Sequence, residues 1–128
     1  MSPLSTFLKV FSLFSISTGT ADVVLGASMI PSFGSHQFLV NSPATAFADS
    51  QLRFLGAMWA GWGAMLWWVS DDLETRCAPL AILGSIMVLA GMGRMIGGMR
   101  HGFGSKVVFG AAMGEVAVPI GMWLFGGW

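Results

Sequence analysis

Charge is scarce in this chain. Asp, Glu, Lys and Arg make up 9% of its 128 residues, against about 25% in an ordinary soluble domain, too few to cover a surface that faces water. Net charge is zero and no basic block occurs, so neither nucleic acid nor an anionic lipid surface is indicated as an electrostatic partner. One cysteine, Cys77, excludes an internal disulfide and cannot build a thiolate metal site by itself. The two imidazoles, His36 and His101, are separated by three expected helix ends, so no metal site and no cofactor is expected.

What is present in quantity is apolar. Hydrophobic residues make up 55% of the chain and mean hydropathy is +0.74, which points to lipid as the outer solvent. The first long apolar run covers roughly residues 7–30 and meets Pro31, enough for the ~20 residues that a bilayer core requires. Lys9 followed by Val10 to Ile16 resembles the charged start and short core of a cleaved leader. The apolar pattern resumes after Asp22 with Val23, Val24 and Leu25, so a retained span is expected.

Residues 31–50 hold Pro31, Gly34, His36, Asn41 and Pro43 and read as the longest loop outside the membrane, with Phe33, Phe38 and Phe47 able to dip into the interface. A second span is expected over roughly residues 52–69, and Asp71, Asp72, Glu74 and Arg76 read as a solvated turn. Third and fourth spans follow over roughly residues 80–99 and 107–125, joined by a short glycine-rich connection. The expected fold is all-α, a polytopic membrane four-helix bundle in one domain over residues 1–128, with both termini on the same side. Trp67 and Trp68 then share an interface with Trp123 and Trp128, as an aromatic belt requires. Arg53, Arg100 and Lys106 lie on the first and third loops against Lys9 and Arg76 on the other face, too small a bias to fix orientation.

Helices in lipid associate by close backbone packing, so small residues at three- and four-residue spacing mark touching faces. The stripes are Ser12, Ser15, Gly19, Asp22 and Gly26 on the first span, and Arg53, Gly56, Ala60 and Gly63 on the second. Gly84, Gly91, Arg94 and Gly98 form the stripe of the third, and Gly110 and Gly114 beside Glu115 that of the fourth. The run from Gly91 to Gly97 misses the spacing of a dinucleotide fingerprint, and no strand precedes it, so it reads as helix packing. Met87, Met92, Met95 and Met99 read as a soft apolar surface.

Each stripe contains or adjoins an ionisable residue. At ~1.5 Å rise per residue, Asp22 and Glu115 lie about 13 Å inside one membrane face and Arg94 about 9 Å, with Arg53 at its edge. An unpaired charge near the bilayer centre costs roughly 2.5–3.5 kcal/mol, so the two acids and two bases are expected to share one interior. Two ion pairs holding the bundle in register would explain them without chemistry. As a site, Glu115 and Asp22 are the candidate catalytic acid or base, and Arg53 and Arg94 would hold an anionic or carbonyl oxygen. Trp59 and Trp62 could wall a flat apolar ligand or simply pack.

Three segments carry a resemblance. Leu52 to Trp59, then Leu89 to Arg94, then Glu115-Val116 four residues before Pro119 resemble the uncharacterised small membrane family of domain of unknown function DUF4345. That likeness covers nearly the whole chain and implies a four-span bundle with an arginine opening the second span, a Gly-Arg late in the third and a glutamate in the fourth. Those positions fall on Arg53, Arg94 and Glu115; Asp22 is added by the stripe alone. The small four-span scaffold proteins of sterol synthesis and the small membrane oxygenases acting on polyketide anthrones are similar in size and span count, a likeness that does not establish function.

Three readings follow. The first is a membrane protein that binds a lipophilic molecule, or scaffolds membrane enzymes as an accessory of a lipid or secondary-metabolite biosynthetic pathway. The second is a small membrane enzyme, an isomerase, cyclase or cofactor-free oxygenase, working through the Glu/Asp and Arg cluster. The third is a transporter or channel subunit, for which four spans are few unless a homo-oligomer forms.

Overall fold

The computed structural model describes residues 2–33 and 42–125. His36, Phe38 and Asn41 of the expected loop, and Trp128 of the expected belt, lie outside the described residues. Among the described residues the fold is all-α, with four long helices: α1 Pro3–Leu25, α2 Pro43–Ser70, α3 Cys77–His101 and α4 Lys106–Phe125. They pair as two hairpins, α1 with α2 and α3 with α4.

Local chemistry sets the helix ends. Ser2 caps α1 by accepting from the Ser5 amide, with Pro3 in the first turn; Ser42 and Pro43 repeat the device on α2 through the Thr45 amide. Residues 43–50 are therefore the first two turns of a helix and not irregular loop. Proline and small polar residues count against a helix in its interior but favour its start. α1 stops at Gly26, five residues before the expected stop at Pro31, and continues as a 3-10 segment over Gly26–Phe33. Gly26 has φ +55°, and a Cβ there would run into the side chains of Asp49 and Arg53, so only glycine fits.

The first hairpin is held along a seam of small and hydroxylated residues. Ser5, Ser12 and Ser15 of α1 donate their hydroxyls to the backbone carbonyls of Ser70, Gly63 and Trp59 at 2.7, 2.6 and 2.6 Å. One antiparallel register thus runs the length of the pair. Further along it, a Cβ on Gly19 would lie 2.5 Å from the Gly56 carbonyl oxygen, so the two backbones are in contact. Ser12 and Ser15 are fully buried while Phe14 is 55% exposed and Val10 64%. Polar groups inside and large apolar groups outside is the arrangement expected where lipid surrounds the helices.

The second hairpin crosses at Gly91. A Cβ there would lie 2.7 Å from Val116 Cγ2 and 3.0 Å from both the Ala112 carbonyl oxygen and Glu115 Cβ. Gly84 faces Pro119 and Trp123. The expected α4 stripe is not the contact face: a Cβ on Gly110 or Gly114 would meet nothing within 4 Å, whereas Ala112 is fully buried.

Among the described residues three helices are long and apolar enough to cross a membrane: Pro3–Ile30 (α1 with most of its 3-10 extension), Cys77–His101 and Lys106–Leu124. α2 is the longest, at 28 residues, but Arg53, Gly56, Gly61, Gly63 and four tryptophans make it less apolar than the other three.

Candidate functional site

The predicted site residues divide between the hairpins, with Asp22, Arg53, Trp59 and Trp62 in the first and Arg94 and Glu115 in the second. Each set has its own geometry.

Arg53 reaches across to the end of α1. Its Nη1 donates to the carbonyls of Val23 and Val24 at 2.6 and 3.1 Å, which lie in the last turn of α1, where helical donors run out. Its Nε and Nη2 donate to the Asp49 carboxylate at 2.8 and 3.3 Å. Asp49 in turn accepts from the Ala27 amide at 2.9 Å. The cation thus satisfies carbonyls at the negative end of the α1 dipole, and the carboxylate satisfies an amide just beyond it. Both partners are bound from α2, where they stand four residues apart on one helix face. The bonds from Arg53, and after them that from the Ala27 amide, hold the Asp49 carboxyl below the usual carboxylate range. Asp49 was not among the sequence candidates, because its segment read as loop. Its spacing from Arg53 was the available signal.

Asp22 lies half-buried on the seam, its Cβ against Gly56. Arg53 does not take its carboxylate, and among the described residues no hydrogen bond or ion pair reaches that carboxylate. Trp59 and Trp62 stack on each other at 5.0 Å, with Phe11 edge-on to both at 6.0 and 5.8 Å. The Trp59 indole N–H donates to Thr18 Oγ1 at 2.9 Å. At the other end of this hairpin Lys9 pairs with Asp71 at 2.6 Å and lies 5.4 Å from the Trp67 ring centroid, so Asp71 is more than a solvated turn residue.

In the second hairpin, Arg94 and Glu115 meet directly. The single Nε–H of Arg94 is shared by both carboxylate oxygens at 3.0 Å. A guanidinium has five N–H donors, and the four on the terminal nitrogens of Arg94 have no partner among the described residues. Gly91, one turn before Arg94, lets α4 approach closely enough for the pair to form. Pro119 lies inside α4 and has no N–H for the Glu115 carbonyl four residues earlier, which removes that oxygen's ordinary helical donor. The second hairpin therefore offers an ion pair with spare donors on the cation and a backbone acceptor at the same level. Such a set can grip a polar oxygen on a molecule whose remainder is apolar.

Among the described residues no three His, Cys, Asp or Glu side chains are close enough to share a metal ion. No curated protein and no solved structure matches the chain. The family model of a domain of unknown function, DUF4345, matches residues 3–125. The arginines and the glutamate that the resemblance singled out lie within that match, and the chain belongs to the DUF4345 family.

Proposed function

We propose that this small helical membrane protein crosses the bilayer four times, both termini on one side, and binds a lipophilic molecule by its polar end at Arg94 and Glu115. It serves as an accessory or scaffold of a membrane-associated biosynthetic pathway. The observation that carries the reading is the contrast between the two arginines. Arg53 spends four of its N–H donors on Asp49 and on the end of α1. Arg94 spends one. A charged group inside an apolar helix with unused donors is a candidate functional site, and its partner Glu115 fixes where it lies. Trp59 and Trp62, joined to Phe11 and Thr18, act in packing.

The fourth crossing is assigned to α2. At ~1.5 Å per residue its 28 residues span about 42 Å, more than the ~30 Å hydrocarbon layer. Asp49 and Arg53 then sit at the interface while Phe54 to Val69 cross.

A second reading, a membrane enzyme, is favoured by Asp22. A half-buried carboxylate without a partner is the kind of group that moves protons. The test is mass spectrometry of small molecules that co-purify with wild-type protein and with Glu115→Gln at matched folding. A compound or lipid species enriched over the bulk bilayer in the wild type and lost in the variant supports the binding site; the same unenriched bulk lipid in both contradicts it. Conversion of that compound by the purified protein, abolished in Asp22→Asn, would favour the enzyme.

A further inference from the structure

The zero net charge of the chain hides a local excess. In the second hairpin, Arg94, Arg100 and Lys106 all lie toward the α3–α4 end, and Glu115 is the one acid there among the described residues. The turn that gathers them has a defined geometry. Gly102, at φ +81°, donates its N–H to the Gly98 carbonyl at 2.8 Å and ends α3. Phe103 folds back against Gly98, where a Cβ would collide with its ring, and packs edge-on to Phe109 at 5.1 Å. Arg100 and His101 thereby occupy the last turn of α3 and Lys106 the first of α4, all three exposed. Arg94 stands about 9 Å deeper along the same helix.

We propose that this end of the hairpin holds an anionic glycerophospholipid. Its phosphate diester lies against Arg100, His101 and Lys106, and an ester carbonyl accepts from the terminal nitrogens of Arg94. The proposal rests on the reading of Arg94 and Glu115 as a ligand site and names the ligand class. Depth decides between candidates. In a phospholipid the phosphate is outermost, the ester carbonyls mark the edge of the hydrocarbon, and the chains lie below. The hairpin shows the same sequence of partners: exposed cations at the turn, spare N–H donors one and a half turns inside, and, deeper on α3, the exposed apolar side chains of Met92 and Leu89. A neutral lipid would leave the outer cations without a counter-charge, and free phosphate would reach only those outer cations. Basic residues beside a membrane surface attract anionic headgroups in this way.

The purified full-length chain in a neutral detergent is titrated with phosphatidylglycerol, phosphatidylcholine or inorganic phosphate while its unfolding temperature is followed. Compounds carried through purification are identified in parallel by mass spectrometry. Phosphatidylglycerol is expected to raise the unfolding temperature of the wild type where the other two do not. In Arg100→Gln/Lys106→Gln and in Arg94→Gln its half-maximal concentration is expected to rise about tenfold or more. Arg100 and Lys106 are exposed and glutamine is a good helix former, so the double variant decides the matter alone should Arg94→Gln fail to fold. Equal response to phosphatidylcholine, the same response to inorganic phosphate, or a double variant with unchanged affinity overturns the proposal. A neutral compound retained through Arg94 without any phosphatidylglycerol effect overturns it and leaves the binding site standing. No compound dependent on Arg94 overturns both.

Discussion

Arg94 of α3 holds Glu115 of α4 through one shared N–H, at 3.0 Å to each carboxylate oxygen. Removing either partner leaves the other charge in an apolar helix pair, at a cost of roughly 2.5–3.5 kcal/mol on insertion scales. Arg94→Gln and Glu115→Gln are each expected to lower stability by about 2 kcal/mol, and the double variant by clearly less than the two together. Reversible unfolding in mixed micelles, followed by tryptophan fluorescence, measures the cycle. Additive losses would mean that the pair does not form.

Glycines at the two crossings are expected to tolerate nothing larger. Gly19→Ala puts a methyl group against the Gly56 backbone and Gly91→Ala puts one against Val116 and the Ala112 carbonyl. Each should cost about 1–3 kcal/mol, the usual range for overpacking. Gly61→Ala and Gly114→Ala meet open space and are expected to be neutral or to gain up to about 1 kcal/mol from helix propensity. Unfolding temperatures of the four variants, compared in one detergent, give the ranking.

The serine ladder of the first hairpin should contribute in small equal steps. Loss of an interhelical hydrogen bond in a membrane averages about 0.6 kcal/mol, so Ser12→Ala and Ser15→Ala are expected each to cost about that much. The two sit one turn apart and both pack against Gly63, so their combination is expected to depart from the sum of the single losses. The same unfolding assay applies.

Acid should weaken the Asp49–Arg53 clamp. The folded-state carboxyl of Asp49 is held below its ordinary value, so the stability it contributes is present above the unfolded value of about 3.9. It is lost as pH falls through the lower folded value. The difference in unfolding temperature between wild type and Asp49→Asn is therefore expected to be constant near neutrality and to shrink below about pH 4. A difference that grows with acid would have the wrong sign.

Four crossings place both chain ends on one side of the membrane, three place them on opposite sides. Reporter domains fused at the two ends and assayed for accessibility in sealed vesicles are expected to be accessible together. Opposite accessibility would show that α2 does not cross.

Much of the packing was legible in the sequence, and the reasons differ by helix. On α1 and α2 the small residues at three- and four-residue spacing lie where two backbones touch, and on α3 Gly91 does the same while Gly84 and Gly98 face side chains, because lipid gives large side chains no reason to turn inward. On α4 glycine and alanine occur on several faces, and spacing alone could not choose Ala112 over Gly110 and Gly114. The pairing of Arg94 with Glu115 follows from their similar depth on opposite helices. The Arg53 clamp did not emerge, because Asp49 sat in a segment whose proline and hydroxyl residues read as loop. Ser42-Pro43 is nevertheless a helix start, and the four-residue step from Asp49 to Arg53 follows from it. The early end of α1 at Gly26 depends on side chains from α2, which no local pattern reveals.

The contrast between the two arginines is tested most directly by comparing Arg94→Gln with Arg53→Gln for retained small molecules and for unfolding temperature in the same preparations. The expected result is loss of a specific lipophilic compound from Arg94→Gln in the folded fraction, while Arg53→Gln unfolds at a lower temperature and keeps the compound. A compound lost with Arg53 and kept without Arg94 would contradict the assignment of the site to the second hairpin.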